Sequence, residues 1–331
     1  MALSFGRRTG AEETSFNDSG WRRLDLPHDW SIEDLPGTQS PFDSTAISQV
    51  SGGFTKGGTG WYRKAFVIPG KNKNNRIIIQ FDGVYMNADV WVNGQHIGNH
   101  PYGYTSFYYD ITNNIKLGTD NVIAVEVKNE GQNSRWYSGS GIYRHVWLKT
   151  VEPVHVVHWG TYITTPLVSA TSAQVIIKTK VLNESTQTAN VSLITKIVNA
   201  AGAGIAKAES KQAISAKDTV EFNQTITVEN PQLWSCETPV QYKAVAEIYL
   251  DGKLAGREEN YFGIRTISFD VVKGFQLNGK TVKLKGGCFH NDNGPLGSKA
   301  YDRAEERKVA LLKASGYNAI RCSHNPQARH F

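Results

Sequence analysis

At 331 residues, with 40% apolar and 11% aromatic side chains, the chain is long enough for two or three domains with real cores. Its net charge of +6 comes from Lys and Arg scattered along the sequence, which argues against a nucleic-acid stripe and for a solvated surface. Three distant cysteines, Cys236, Cys288 and Cys322, give neither a disulfide framework nor C-x-x-C metal spacing, and no apolar run is long enough to span a bilayer.

Met1–Arg8 has no apolar leader core, so a soluble protein is expected, with no metal or cofactor and no membrane or nucleic-acid partner. Its localisation stays open between the cytoplasm and, if an earlier start is missing, export.

Residues 1–152 read as all-β. Ile77 to Phe81 is an apolar strand, and Ala88 to Ile97 is a hairpin turning at Asn93-Gly94. Ile123, Val125 and Val127 alternate with Ala124, Glu126 and Lys128, the period of a half-buried strand. Strands at this spacing predict a sandwich or jelly roll. The run Gly52 to Gly60 neither follows a strand nor opens a helix, so it is a poor phosphate cradle. Arg135-Trp136-Tyr137 admits two readings: an aromatic platform with a guanidinium for sugar hydroxyls, or a core edge with Arg135 paired to a carboxylate. Chemistry taken alone favours the second.

Residues 153–263 form another all-β stretch, with strand runs at Val175, Val191, Val220 and Tyr242–Leu250, a hairpin turn at Asp251-Gly252 and a corner at Pro231–Ser235. An immunoglobulin-like sandwich acting as a spacer is expected, without the Cys…Trp…Cys pattern of antibody domains.

From 264 to 331 the pattern changes. Val282 and Leu284 alternate with Lys283 and Lys285 as a strand, and Asp302 with Glu305 resembles a capping box. Val309, Leu311, Leu312 and Ala314 supply an apolar helix side, Gly316 a stop, and Ala319-Ile320 a second strand. Strand, helix and strand at this length predict a parallel β-α-β unit, of a (β/α) barrel or a doubly wound sheet. In barrels the reactive groups sit at the C-terminal strand ends. Here those ends carry His290, Asn291 and Asp292, then Arg321 and His324. Two strands of a barrel leave open edges, so 264–331 is expected to be held only by docking on the sandwiches or on a partner.

Several stretches occur together in one order: Leu26-Pro-His-Asp-Trp-Ser-Ile-Glu33, Gly58-Thr-Gly-Trp-Tyr-Arg-Lys64, Val90-Trp-Val-Asn-Gly94, Gly141-Ile-Tyr-Arg144, Pro231–Ser235, Phe262-Gly-Ile-Arg265 and Asn318-Ala-Ile-Arg-Cys-Ser-His-Asn-Pro326. In this the chain resembles glycoside hydrolase family 2, the β-galactosidase and β-glucuronidase group, over nearly its whole length. The resemblance implies a multidomain, mostly β fold. Its parts would be a jelly-roll sugar-binding domain (1–152), an immunoglobulin-like β-sandwich (153–263) and the first strands and helix of a truncated (β/α)8 barrel (264–331). It implies a retaining β-glycosidase acting on a carbohydrate substrate. The aromatic loop with Pro27-His-Asp-Trp resembles β-galactosidases more than β-glucuronidases. His290, Asn291, Asp292, Arg321 and His324, with Arg135 and Trp136, would line the terminal-sugar site, while Cys288 and Cys322 read as small core residues.

The family's two catalytic carboxyl groups come from later barrel strands, so no catalytic residue is assigned, and Glu305 and Glu306 sit on the helix, away from strand ends. Gln327–Phe331 departs from the apolar helix the family carries after Pro326. A fragment inactive by itself is therefore expected. The alternatives are a non-catalytic carbohydrate-binding or complementation piece, or a β-glucuronidase-type member. A homo-oligomer or a missing C-terminal half would each fit as partner.

Overall fold

Alternation builds the strands. Ile123, Val125 and Val127 point into one core, while Ala124 on the opposite face lies beneath Trp61 and Trp91. The computed structural model describes residues 1–327, and the departure expected after Pro326 falls mainly on residues 328–331, outside them. The chain divides into two units, Met1–Thr150 with the chain from Lys285 onward, and Val151–Leu284.

The first unit begins with nine strands: β1 (Ala2–Phe5), β2 (Arg22–Arg23), β3 (Gly58–Val67), β4 (Arg76–Phe81), β5 (Ala88–Val92), β6 (Gln95–His100), β7 (Phe107–Asp110), β8 (Asp120–Asn129) and β9 (Val146–Val151). They form a six-stranded sheet ordered β2-β1-β3-β8-β5-β6 and a three-stranded sheet ordered β7-β4-β9. Ile77, Ile79 and Phe81 of one sheet meet Val90, Val125 and Val127 of the other in a common core. Asn93 and Gly94 take φ of 51° and 80°, the left-handed pair that a two-residue hairpin turn requires.

In the second unit, β10 (Val154–Val168), β11 (Ser172–Asn183) and β14 (Thr219–Glu229) make one sheet. The other is ordered β13 (Gly204–Ile214), β12 (Ala189–Val198), β15 (Tyr242–Leu250) and β16 (Lys253–Phe262). Their inward residues, among them Val175, Ile177, Ile197 and Ile226, alternate with mostly partly buried residues in β11 and β12 and with exposed ones in β14. The predicted corner is tied down where Trp234 N donates to Ile264 O at 2.8 Å and Arg265 lies over the Trp234 ring. A hairpin of β17 (Ile267–Asp270), β18 (Gly274–Leu277) and β19 (Lys280–Thr281) follows in this unit.

The last elements are β20 (Gly286–Phe289), helix α1 (Asp302–Ala314) and β21 (Ala319–Cys322), with β20 and β21 paired in parallel. Three local expectations are corrected here. The strand read from Val282 to the loop at His290 starts later than its alternation suggested, because Asn318 brackets Lys285 through its side chain and its backbone N–H, and pairing runs only from Gly286 to Phe289. Gly286 suits that place, since a Cβ there would come within 2.3 Å of the Ala319 carbonyl oxygen. Asp302 is the first helical residue and not the cap, which is Tyr301 and makes no side-chain capping bond. Asp302 instead accepts from His145 at 2.8 Å, and Glu305 is buried against Lys308 and Asn293. Of the predicted apolar side, Val309 and Leu312 are partly buried, whereas Leu311 and Ala314 are exposed. Gly316, at φ 83° just past the C-cap Ser315, ends the helix as expected. Among the described residues the structure is mostly β, with twenty-one strands and one α-helix.

Candidate functional site

Three loops of the first unit converge: 129–144 between β8 and β9, 290–301 after β20, and 323–327 after β21. The first is pinned at its base by tyrosine hydroxyls. Tyr85 donates to Asn133 Oδ1 at 2.9 Å, and the Tyr104 hydroxyl lies 3.3 Å from Ser134 Oγ. Burial pushes both phenols above their usual range, so they stay neutral donors. The far end of the loop is held by Asp29, which accepts from the Tyr137 hydroxyl and from Ser140 N.

The loops after β20 and β21 dock on the two-sheet part of this unit through polar contacts. Ser298 donates twice to Asp29, Ala300 N donates to Tyr143 O at 2.9 Å, and Asn291 Nδ2 donates to Ser138 O at 3.3 Å. Arg144, almost wholly buried, donates to Pro326 O at 2.7 Å, and the Tyr102 hydroxyl donates to Asn325. The segment from Lys285 is thus held by docking, as its open edges required.

This convergence brings five of the seven expected site residues together. The Trp136 indole stacks on His290 with ring centroids 4.2 Å apart and planes 15° from parallel, and its Nε1 donates to Asp292 Oδ1 at 3.2 Å. His324 meets His290 edge-on at 6.1 Å, and Arg321 reaches His324 Nδ1 at 3.3 Å and Ser323 Oγ at 2.8 Å. Asn291 is turned into the sandwich, buried, with its amide donating to Ser138. Arg135 is exposed, and among the described residues it has no carboxylate partner. The two readings of the aromatic loop therefore divide by residue: Tyr137 closes a buried edge, and Trp136 stays 49% exposed.

Burial lowers the His290 pKa below the ordinary 6.5, and His324 and Arg321 push the same way against the opposing pull of Asp292. A neutral imidazole, a guanidinium and a carboxylate at adjacent strand ends are thus gathered with the exposed indole of the 129–144 loop, able to donate to and accept from a ligand rich in hydroxyls. Cys288 and Cys322 are exposed, not core residues, because the two-stranded pair has no apolar layer over them among the described residues. Hydrogen bonds from Ser323 and then Arg321 hold the Cys288 thiol below its usual range. Glu305 is spent on Lys308 at 2.9 Å and Asn293 at 2.8 Å, and Glu306 pairs with Arg303. Among the described residues, no group of three or more His, Cys, Asp or Glu side chains has an arrangement that could hold a metal ion.

The residues that position this cluster, Asp29, Ser298 and Arg144, carried no functional signal of their own. The only trace of Asp29 and Arg144 was membership of the stretches Leu26–Glu33 and Gly141–Arg144, and Ser298 left none. A buried Asp or Arg in a motif reads from sequence as polar surface until its hydrogen-bond partners, up to 269 residues away, are known.

Residues 41–152 match the family described as "Glycosyl hydrolases family 2, sugar binding domain", and residues 154–265 match "Glycosyl hydrolases family 2". Beta-galactosidase BoGH2A of Bacteroides ovatus is 44% identical over 96% of this chain and 37% of its own length. A beta-glucuronidase of Formosa agariphila is 31% identical over 95% of this chain and 34% of its own. The crystal structure of a glycosyl hydrolase family 2 member from Bacteroides cellulosilyticus superposes with a TM-score of 0.97 at 50% identity, covering 99% of this chain and 42% of that one. The chain spans little more than a third of the length of these two curated relatives. With both family regions in sequence order over an unbroken likeness, the chain belongs to glycosyl hydrolases family 2.

Proposed function

We propose that this chain supplies the terminal-sugar wall of a retaining β-glycosidase acting on β-galactosides. In this reading, residues 1–152 are a jelly-roll sugar-binding domain, 153–263 an immunoglobulin-like sandwich, and 264–331 the start of a (β/α)8 barrel. The observation that carries it is Trp136 stacked on His290 and bonded to Asp292, beside Arg321 and His324. Trp136 offers an apolar face to sugar C–H groups. His290, Arg321 and His324 donate to hydroxyls, and Asp292 accepts from them. Arg135 closes the rim, and Asn291 acts from behind by holding its loop to Ser138.

A retaining mechanism needs two carboxyl groups about 5–5.5 Å apart. Asp292 is the one acidic side chain in the cluster, since Glu305 and Glu306 are engaged elsewhere. The chain therefore binds and orients, and the bond-breaking pair comes from outside it. A β-glucuronidase reading is supported by the Formosa agariphila relative, and it needs a cation for the substrate carboxylate, which Arg321 could offer.

The 331-residue chain is to be titrated with galactose and with glucuronate by NMR, and assayed on chromogenic β-galactoside and β-glucuronide. Galactose binding that is lost in Arg321→Ala, with no turnover, is expected. Stronger binding of glucuronate would replace the galactoside reading. Binding of neither sugar, or hydrolysis by the chain alone, would overturn the proposal.

A further inference from the structure

Asp29 is fully buried and touches none of the side chains assigned to the sugar. Its Oδ1 accepts from Ser31 N at 3.0 Å, Ser31 Oγ at 2.7 Å and Ser140 N at 2.8 Å. Its Oδ2 accepts from the Tyr137 hydroxyl, from Ser298 N at 2.8 Å and from Ser298 Oγ at 3.0 Å. Among the described residues, no Lys or Arg forms an ion pair with it. A carboxylate is acceptor-only with about four lone-pair sites, so six donors on its two oxygens more than fill them, some sites being shared.

The donors come from three segments that otherwise have little reason to meet. Ser31 belongs to the Asp29 turn, Tyr137 and Ser140 to the loop carrying Trp136, and Ser298 to the loop carrying His290 and Asp292. Two glycines complete the fit. A Cβ on Gly139, at φ 73°, would lie 1.8 Å from Ser298 Oγ and 2.7 Å from Asp29 Oδ2. One on Gly297, at φ 65°, would lie 2.5 Å from the same oxygen and 2.8 Å from the Tyr137 hydroxyl. Tyr137 directly follows Trp136 in sequence. On the other side, a short turn leads from Asp292 to Ser298, closed by Asn293 N donating to Gly297 O at 2.6 Å.

We propose that Asp29 is a positioning residue that clamps the loop bearing Trp136 to the loop bearing His290 and Asp292, so that the aromatic platform forms before any ligand arrives. Its consequence for sugar affinity rests on the function proposed above, but the clamp itself does not. An amide cannot replace it. Asn at this place has one acceptor oxygen and would turn an N–H₂ toward three donors.

The test uses the full chain with ¹⁵N-labelled tryptophan. Of its eight tryptophans, the Trp136 indole N–H is assigned by its loss in Trp136→Phe. In Asp29→Asn that resonance should shift and exchange with water about tenfold faster or more, the scale on which such a bond is lost, while the other indoles stay in place. A folded Asp29→Asn whose Trp136 resonance is unmoved overturns the clamp. If Asp29→Asn does not fold, Ser298→Ala decides: it spares the Tyr137 bond yet should move the Trp136 indole, and no movement there overturns the proposal. Galactose titration of the same samples separates the two ideas. An unclamped variant that binds about tenfold more weakly extends the clamp to the ligand, whereas a native chain that binds no sugar sinks the sugar-site reading and leaves the indole result to judge the clamp.

Discussion

Two regions of the first unit are held by opposite means. In the sandwich, Ile77, Ile79 and Phe81 are sealed in a core shared by two sheets, and Phe81 stacks on Phe107 at 4.9 Å. In the parallel pair of β20 and β21, Gly286, Gly287, Cys288, Arg321 and Cys322 are all exposed, and the loops beyond are fixed by hydrogen bonds to the sandwich. Apolar burial sets the stability of the first region, and directed polar contacts set the geometry of the second. A site whose parts come from strands far apart in sequence gains registry from such contacts, because each bond has a preferred length and angle whereas burial does not.

The largest effect should follow from cutting the apolar side of that contrast. Phe81→Ala removes a fully buried ring and should cost about 3–5 kcal/mol, read by urea denaturation. Because the loops lean on the sandwich, the Trp136–His290 stack should be lost in the same transition. Survival of the stack beyond unfolding of the sandwich would show that the loops carry their own stability.

Next comes a cut on the polar side. Gly297→Ala puts a methyl group against Asp29 and Tyr137 at a left-handed φ of 65°, with local strain of about 1–3 kcal/mol. Hydrogen exchange should quicken at Ser298 and Ala300 and stay slow in β4 and β8. Uniform acceleration through the sandwich would mean that the two regions unfold as one, and the contrast would fail.

The apolar side of the comparison was the legible one. Alternation at Ile123–Lys128, the Asn93-Gly94 turn and the Asp251-Gly252 turn each report a local rule, and each is found where expected. The short strand β1 was missed because four residues without a turn signal carry no period, and it is held by pairing with distant β3. The strand read from Val282 to the His290 loop began too early for a related reason. Its alternation was real, but the pairing partner, Ala319–Cys322, selected Gly286–Phe289 instead. Asp302 and Glu305 have the spacing of a capping box, but each found a tertiary partner in place of the helix N-terminus. Within the site, His290, Asp292, Arg321 and His324 could be named because strand ends are where barrel chemistry gathers. The stack of Trp136 on His290 could not, since it depends on Asp29 joining segments that no spacing rule connects.

The smallest effect separates the two regions by pH. In the sandwich, burial alone would raise the Glu33 pKa, but hydrogen bonds from His28 and Arg22 outweigh it and hold the carboxyl below the ordinary 4.5. Folding therefore favours the charged form, and the stability this contributes is present above pH 4.5 and is lost as the pH falls through the folded value. In the site, burial first, then His324 and Arg321, lower the His290 pKa below 6.5. Between its folded value and 6.5 the unfolded chain binds more protons than the folded one, so stability again rises with pH, but in a window lying higher. On acidification from neutrality, the loops around His290 should loosen while the Glu33 network is still intact. Following the His290 ring and the Trp136 indole by NMR tests this order. A His290 midpoint at or above 6.5, or a Trp136 signal that changes only with acid unfolding of the sandwich, would remove the electrostatic part of the distinction. The hydrogen-bonded clamp would then be its sole support.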